Sequence, residues 1–217
     1  MIISNLWVSP CLPLDGMDKR WVLPCMVLRG WNDQIRILLP DDLLNRHLGV
    51  GYLHRDVSLS DPLAAALGVC TFGPRILIDL MIMVCNTGDD LKNLGLNWIG
   101  SWLVALYECL SCQPTGHESF FQVHSESDCL NDLAQIPFIP LSDGSYTSIR
   151  EDYIWLPCEA NRSGLDGMHI LKNFPKLYCE LRTVHPSLFF SPAVGGDVVV
   201  RADSDMIVCM LRRVGID

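Results

Sequence analysis

The stretch Ile136-Pro137-Phe138-Ile139-Pro140-Leu141-Ser142-Asp143-Gly144-Ser145-Tyr146-Thr147-Ser148-Ile149 decides how this chain is read. An apolar run, an Asp-Gly pair and a second run with aromatic and β-branched residues spell a β-hairpin, because Asp-Gly accepts the backbone conformation that tight hairpin turns need. Tyr153-Ile154-Trp155-Leu156 reads as a further strand behind it. Similar lettering stands near the N-terminus. Leu12-Pro13-Leu14-Asp15-Gly16 precedes Trp21-Val22-Leu23-Pro24, as Ile139-Pro140-Leu141-Ser142-Asp143-Gly144 precedes Trp155-Leu156-Pro157. The expectation is one turn-and-strand unit used twice, which is too few copies for a solenoid.

Outward from these hairpins, residues 20–40 read as β structure. Trp21-Val22-Leu23 and Met26-Val27-Leu28 are short apolar runs, and Gln34-Ile35-Arg36-Ile37-Leu38-Leu39 partly alternates before Pro40. Short helices follow. Asp41 to Leu48 has acids in its first turn and Gly49 past its end, as the helix dipole and a left-handed C-cap prefer. Ser60 to Gly68 has a capping Ser, an early Pro and a closing Gly. Pro74 opens a third helix through Ile76, Leu77, Leu80, Met81 and Val84, and Asp89-Asp90 open a fourth near Leu91 and Leu94. From 97 to 110, Trp98, Trp102, Leu106 and Leu110 recur at four-residue spacing beside Ile99 and Leu103, a core-facing stripe. The chain then turns polar, from Ser111 to Ser127. A short helix from Asp128 to Gln135 leads into the hairpin, and Ser204 to Arg213 predicts a final helix with Met206, Ile207, Met210 and Leu211 on one side. The fold class expected is α+β, with short helices around small antiparallel hairpin sheets. The expected organisation is a strand-and-helix subdomain over 1–112, a linker loop over 113–127 and a hairpin-containing subdomain over 128–217. The last helix is closed by Gly215 two residues before the end, which reads as part of a larger protein.

Composition narrows the class of function. The chain has 217 residues, 25 acidic against 16 basic, and a net charge of −9. Hydrophobic residues make up 49% and charged residues 19%, with mean hydropathy +0.25. That excludes intrinsic disorder, which needs few apolar residues and much charge. It also argues against nucleic-acid binding, for which Arg201, Arg212 and Arg213 make too small a basic face. The longest uncharged run, Asn93 to Tyr107, has fifteen residues, against the roughly 20 that span a bilayer. Met1 to Trp7 lacks the basic n-region of a signal peptide. The ten cysteines are scattered, several inside apolar helical patterns, and read as free buried thiols in a reducing compartment. The sequon Asn161-Arg162-Ser163 carries no weight in a chain without a secretory signal.

Few constellations carry chemistry. Cys109-Leu110-Ser111-Cys112 with His117 gives C-x2-C-x4-H, the opening of a zinc-knuckle spacing. A fourth ligand is wanted near Gln122, which supplies neither thiolate nor imidazole, while His124 and Cys129 stand at a different spacing. His54-Arg55-Asp56 matches the kinase catalytic-loop triplet, but Asp61 stands where that loop needs a metal-binding Asn, and no Gly-rich loop or Asp-Phe-Gly exists. Asp41-Asp42 and Asp89-Asp90 are explained by helix starts. His47, His169 and His185 have no companion group in sequence. No Gly-x-Ser-x-Gly, Walker Lys or Gly-x-Gly-x-x-Gly occurs.

The phrases Cys11-Leu12-Pro13-Leu14-Asp15-Gly16, Arg36-Ile37-Leu38-Leu39-Pro40-Asp41-Asp42-Leu43-Leu44 and Ile136 to Gly144 resemble the NO VEIN-like family of very large plant proteins, which carry a sacsin-like, Hsp90-type ATPase module. The resemblance runs over most of residues 10–217, and Pro137-Phe138-Ile139-Pro140-Leu141-Ser142-Asp143-Gly144 is its most specific phrase. The module's Asp-x-Gly-x-Gly turn, catalytic Glu and magnesium-binding Asn have no counterpart here, so the resemblance implies a segment outside the ATPase module. It also implies a chaperone-related protein with links to the nucleus and to developmental patterning. The expectation is a non-catalytic structural or interaction segment with no cofactor, working inside the cell in nucleus or cytoplasm. Its partners would be proteins or the remainder of a longer chain, with no membrane. The alternative is a small metal-binding or enzymatic module centred on Cys109, Cys112 and His117.

Overall fold

The computed structural model describes residues 5–16, 20–87, 90–111, 126–150, 154–156, 182–192, 198–201 and 203–216. Two compact units divide the chain, the first over residues 1–83 with 116–123 and the second over residues 84–115 with 124–217. The expected linker at 113–127 lies almost wholly outside the described residues.

In the first unit, strands β1 (Leu12–Pro13) and β2 (Trp21–Val22) form an antiparallel hairpin. A three-stranded parallel sheet follows, with β3 (Val27–Arg29) between β4 (Gly51–Tyr52) and β5 (Cys70–Thr71). The expectation held antiparallel hairpins alone. The parallel sheet arises because helices carry the chain back each time, and Val27 and Leu28 on the central strand and Tyr52 beside them are buried.

Helices α1 (Asp33–Leu38) and α2 (Asp41–Leu48) connect β3 to β4, and α3 (Asp61–Leu67) connects β4 to β5. Helix α1 corrects the strand expected at Gln34–Leu39. The Asn32 side chain accepts a hydrogen bond from the Ile35 amide at 2.9 Å, and Asp33 sits in the first turn, an N-terminus the apparent alternation concealed. Ile35 and Ile37 do not share one buried face, since Ile37 is 80% exposed. Helices α2 and α3 stand where read, each closed by a left-handed glycine, Gly49 and Gly68. Ser60 occupies the N-cap of α3 without a side-chain capping bond.

Helix α4 (Pro74–Asn86) carries the buried Leu77, Ile78, Leu80, Met81 and Val84. In the second unit, α5 (Asp90–Ser111) joins the two expected helices across Gly95, whose φ of +77° breaks the ladder. Its buried stripe is Ile99, Trp102, Leu103, Leu106 and Leu110, with Trp98 only half-buried. Helix α6 (Glu126–Leu133) leads to the hairpin of β6 (Ile139–Pro140) and β7 (Tyr146–Thr147). The Asp143 carboxylate accepts from the Ser145 hydroxyl and amide, which holds its pKa below the usual value. Strands β8 (Phe190–Pro192) and β9 (Val198–Val200) pair antiparallel, and α7 (Ser204–Arg213) packs on α5. On α7, Ile207, Met210 and Leu211 are buried while Met206 is exposed, so Met206 leaves the predicted face.

The repeated lettering is a repeated scaffold, in a register the sequence did not show. The amides of Asp15 and His54 donate to Tyr52 O and Pro13 O at 2.8 and 3.0 Å. The amides of Ser142 and His185 donate to Thr183 O and Pro140 O at 2.9 and 2.8 Å. Leu14 bridges Leu53 as Leu141 bridges Val184. Each histidine then accepts on Nδ1 from the amide two residues on, Asp56 at 3.3 Å and Ser187 at 3.2 Å. Hairpin β1–β2 therefore corresponds to β6–β7. Trp155 corresponds to Leu28 and not to Trp21, for Val184 donates to Trp155 O as Leu53 donates to Leu28 O.

Helices α3 and α7 close the same way. The amides of Gly68 and Val69 donate to Ala65 O and Ala64 O, and those of Gly215 and Ile216 to Arg212 O and Leu211 O. Gly68 has φ +71° and Gly215 φ +106°, where an L side chain is strained. Gly68→Ala and Gly215→Ala are each expected to lower stability by about 1–2 kcal/mol, each in its own unit, by urea denaturation.

Burial lowers the His185 pKa from its ordinary 6.5. The fold thus favours the neutral ring. That contribution is present above pH 6.5 and is lost as pH falls through the depressed value. Stability of the second unit is expected to drop on acidification in this range, and less so in His185→Gln, by denaturation midpoints between pH 7.5 and 5.

No described helix is long and apolar enough to cross a membrane. The described cysteines are not all buried as expected: Cys25 and Cys209 are exposed, and Cys11, Cys70, Cys85 and Cys109 are half-buried thiols. Trp7, Val8, Trp21, Ile37 and Trp155 stand among the exposed large apolar side chains.

Candidate functional site

A cleft of about 440 Å³ opens in the first unit between the exit of β3 and the segment after β4. Its wall is built around Trp31. The indole N–H donates to Leu53 O at 3.0 Å, which fixes the ring beside the repeated backbone clasp. Tyr52 packs against it with ring centroids 4.9 Å apart. The Arg55 guanidinium lies 4.8 Å and that of Arg36 5.3 Å from its ring centroid, a cation–π arrangement.

These arginines are held by carboxylates. Arg36 donates to Asp41 through Nε and Nη2 at 3.1 and 2.8 Å, and to Asp15. Arg55 donates to Asp33 at 2.6 Å and lies 3.6 Å from Asp15. Arg29 donates to Asp61, to Thr71 Oγ1 at 3.0 Å and to Leu59 O at 3.0 Å. The hydrogen bond to Asp41 is the main cause of a raised Arg36 pKa, and that to Asp33 of a raised Arg55 pKa. The cleft is therefore charge-compensated, and its aromatic wall is stiffened by the two guanidiniums.

The triplet His54-Arg55-Asp56 lines or borders this cleft without forming a kinase loop. Asp56 is 91% exposed on its side chain, and the Asp56 amide donates to His54 Nδ1. Asp61, at the position of the metal-binding Asn, is bound to Arg29. Cys109 is half-buried on α5, and Cys112 and His117 lie outside the described residues. Among the described residues no group of three or more His, Cys, Asp or Glu could hold a metal ion. Arg201, one of the three arginines too few for a basic face, is pinned to Asp203 at 3.0 and 3.1 Å and to Asn97 at 3.2 Å.

Sequence reasoning did not find the cleft. Asp15, Trp31, Arg36, Asp41 and Arg55 come from four separate segments. The one local signal was the Asn32 cap, which makes α1 a helix and places Arg36 back over Trp31.

No protein-family model and no solved structure matches the chain. Protein NO VEIN of Arabidopsis thaliana is 38% identical over 215 residues, which cover 99% of this chain. The chain spans 8% of the length of that relative. With identity of that order along nearly its whole length, and with the phrases at 11–16, 36–44 and 136–144 built into the folded elements above, the chain is a NO VEIN-like protein.

Proposed function

We propose that this chain is a non-catalytic structural and interaction segment of a sacsin-like, chaperone-related plant protein. Its partners are other proteins or the remainder of a longer chain, it acts in the nucleus or cytoplasm, and it serves developmental patterning. The observation that carries the non-catalytic reading is the cleft at Trp31. Its guanidiniums are engaged by Asp15, Asp33, Asp41 and Asp61, which gives a stiff, charge-compensated recognition surface. Exposed Trp7, Trp21 and Trp155 add the aromatic side chains that protein contacts favour.

The test is phosphate release by the purified chain with magnesium and ATP. The expected rate is that of buffer alone. Turnover abolished by replacing one acidic residue would overturn the reading. Metal analysis of the same preparation addresses Cys109, Cys112 and His117: no stoichiometric zinc is expected, and one zinc per chain would reverse the assignment. A fluorescent fusion confined to the secretory pathway would contradict the intracellular placement.

A further inference from the structure

We propose that Cys25 and Cys70 of the first unit form a reversible redox pair, which a hydroperoxide oxidises to an intrachain disulfide. The inference goes beyond the interaction reading above and does not depend on it.

The fold brings the two residues together from distant parts of the chain. Cys25 sits in a 3-10 turn, Pro24–Met26, at the entrance of β3. The amides of Met26 and Val27 donate to Leu23 O and Pro24 O, so the backbone of the turn is held. Cys70 begins β5, with Leu28 as its partner in the parallel ladder. The two cysteines are 45 residues apart in sequence, yet the Cys70 thiol donates to the carbonyl oxygen of Cys25 at 3.6 Å. Only the carbonyl and Cα of Cys25 therefore stand between its own side chain and the Cys70 sulfur. A disulfide needs its two Cβ atoms close and its sulfurs at a defined torsion. The turn and the ladder hold the two backbones, and the exposed side chain of Cys25 turns about its Cα–Cβ bond to meet the other sulfur.

The surroundings give the two thiols different roles. Burial raises the Cys70 pKa, and the charges of Cys25 and Asp79 add to the rise, as close neighbours do. Half-buried Cys70 is thus slow to become a thiolate, while exposed Cys25 meets an oxidant first. Among the described residues no third His, Cys, Asp or Glu joins the pair in a group that could hold a metal ion. The repeated scaffold does not itself call for sulfur here. Counted from Trp155 and Ile216, the same places in the second unit's sequence are Asp152 and Asp217.

The chemistry runs in two steps. The Cys25 thiolate attacks the hydroperoxide, forming an S–O bond and breaking the O–O bond. The alkoxide leaves and takes up the proton that Cys25 had released to solvent. Cys25 is now a sulfenic acid, and the hydroperoxide has been reduced to an alcohol. The Cys70 sulfur then attacks the Cys25 sulfur, so that an S–S bond forms and the S–O bond breaks. The departing hydroxide leaves as water with the Cys70 thiol proton. Two thiols and one hydroperoxide give one disulfide, one alcohol and one water. The bond fastens β5 to the entrance of β3, next to Thr71, whose Oγ1 accepts from Arg29 Nε at 3.0 Å. In a reducing compartment such a bond is a transient, sensing one.

The experiment treats the reduced 217-residue chain with hydrogen peroxide, alkylates the remaining thiols and maps the digest by mass. The expected result is a peptide carrying Cys25 linked to one carrying Cys70, two hydrogens lighter than the reduced pair and separated again by dithiothreitol. The urea midpoint of the first unit should rise on oxidation and return on reduction, because the bond closes a loop across those 45 residues in the unfolded chain. Cys70→Ser should stop at the Cys25 sulfenic acid, caught by dimedone. Cys25→Ser, at an exposed position, should leave Cys70 a thiol and abolish the shift in midpoint, even if Cys70→Ser does not fold. Cys209→Ser, at another exposed thiol, should keep the bond. Three results would overturn the proposal: Cys25 linked to any other cysteine, a link found only between two copies of the chain, or Cys25 of the unaltered chain halting at the sulfenic acid.

Discussion

Trp102→Ala is expected to destabilise the second unit by about 3–5 kcal/mol, by urea denaturation followed at its own transition. Trp102 is fully buried on α5 and meets Phe138 edge-on, with ring centroids 5.7 Å apart and planes at 62°. Ile99, Leu103 and Leu106 are buried on the same helix, and α7 packs against it. Removing the indole leaves a cavity that close-packed neighbours fill only in part, so the loss exceeds the transfer energy of the side chain alone. Met206→Ala on exposed α7 surface is the control, with a change of about 0.5 kcal/mol or less.

Tyr52→Ala is expected to cost the first unit about 3–5 kcal/mol. Tyr52 is fully buried on β4, beside the central strand of the parallel sheet, and packs on Trp31, and its hydroxyl donates to Leu39 O. Tyr52→Phe keeps the ring but leaves that carbonyl without its donor, and is expected to cost about 1–2 kcal/mol. The two substitutions separate packing from hydrogen bonding.

Tyr52 also sets an alkaline limit. Burial raises its pKa above the ordinary 10, nearby Asp41 adds to the rise, and Arg36 opposes it. The folded state therefore holds the phenol proton more tightly than the unfolded chain. The contribution is complete below pH 10 and is lost as pH rises beyond it. Burial moves the Cys70 thiol in the same direction. The measurement is accordingly a difference: denaturation midpoints from pH 8 to 11 should fall less steeply in Tyr52→Phe than in the unaltered chain.

Elements with chemical punctuation at both ends were legible in the sequence. Helix α2 has Asp41 and Asp42 at its start and Gly49 at its end, and α7 is closed by Gly215. The Asp143-Gly144 turn announced β6 and β7 because its geometry is local. Helix α1 was not legible: Ile35 and Ile37 stand two apart like strand residues, and only the Asn32 cap distinguishes the two readings. The partner of Trp155 was not legible either. Parallel pairing with Thr183 depends on a connection of more than twenty residues, which no local pattern encodes. The lettering Trp-Leu-Pro therefore paired Trp155 with the wrong copy residue. The cleft failed for a related reason, since Arg36 and Arg55 meet at Asp15 and Trp31 only after β3 and β4 are joined.

The central claim is that one backbone scaffold, clasped by His54 in one unit and by His185 in the other, supports both halves of this chain. Amide hydrogen exchange resolved residue by residue tests it most directly. The prediction is strong protection of the amides of Asp15, Leu53 and His54 together with those of Ser142, Val184 and His185, each donating to the carbonyl named above. Protection of the first three with exchange of the second three at unfolded rates would contradict it.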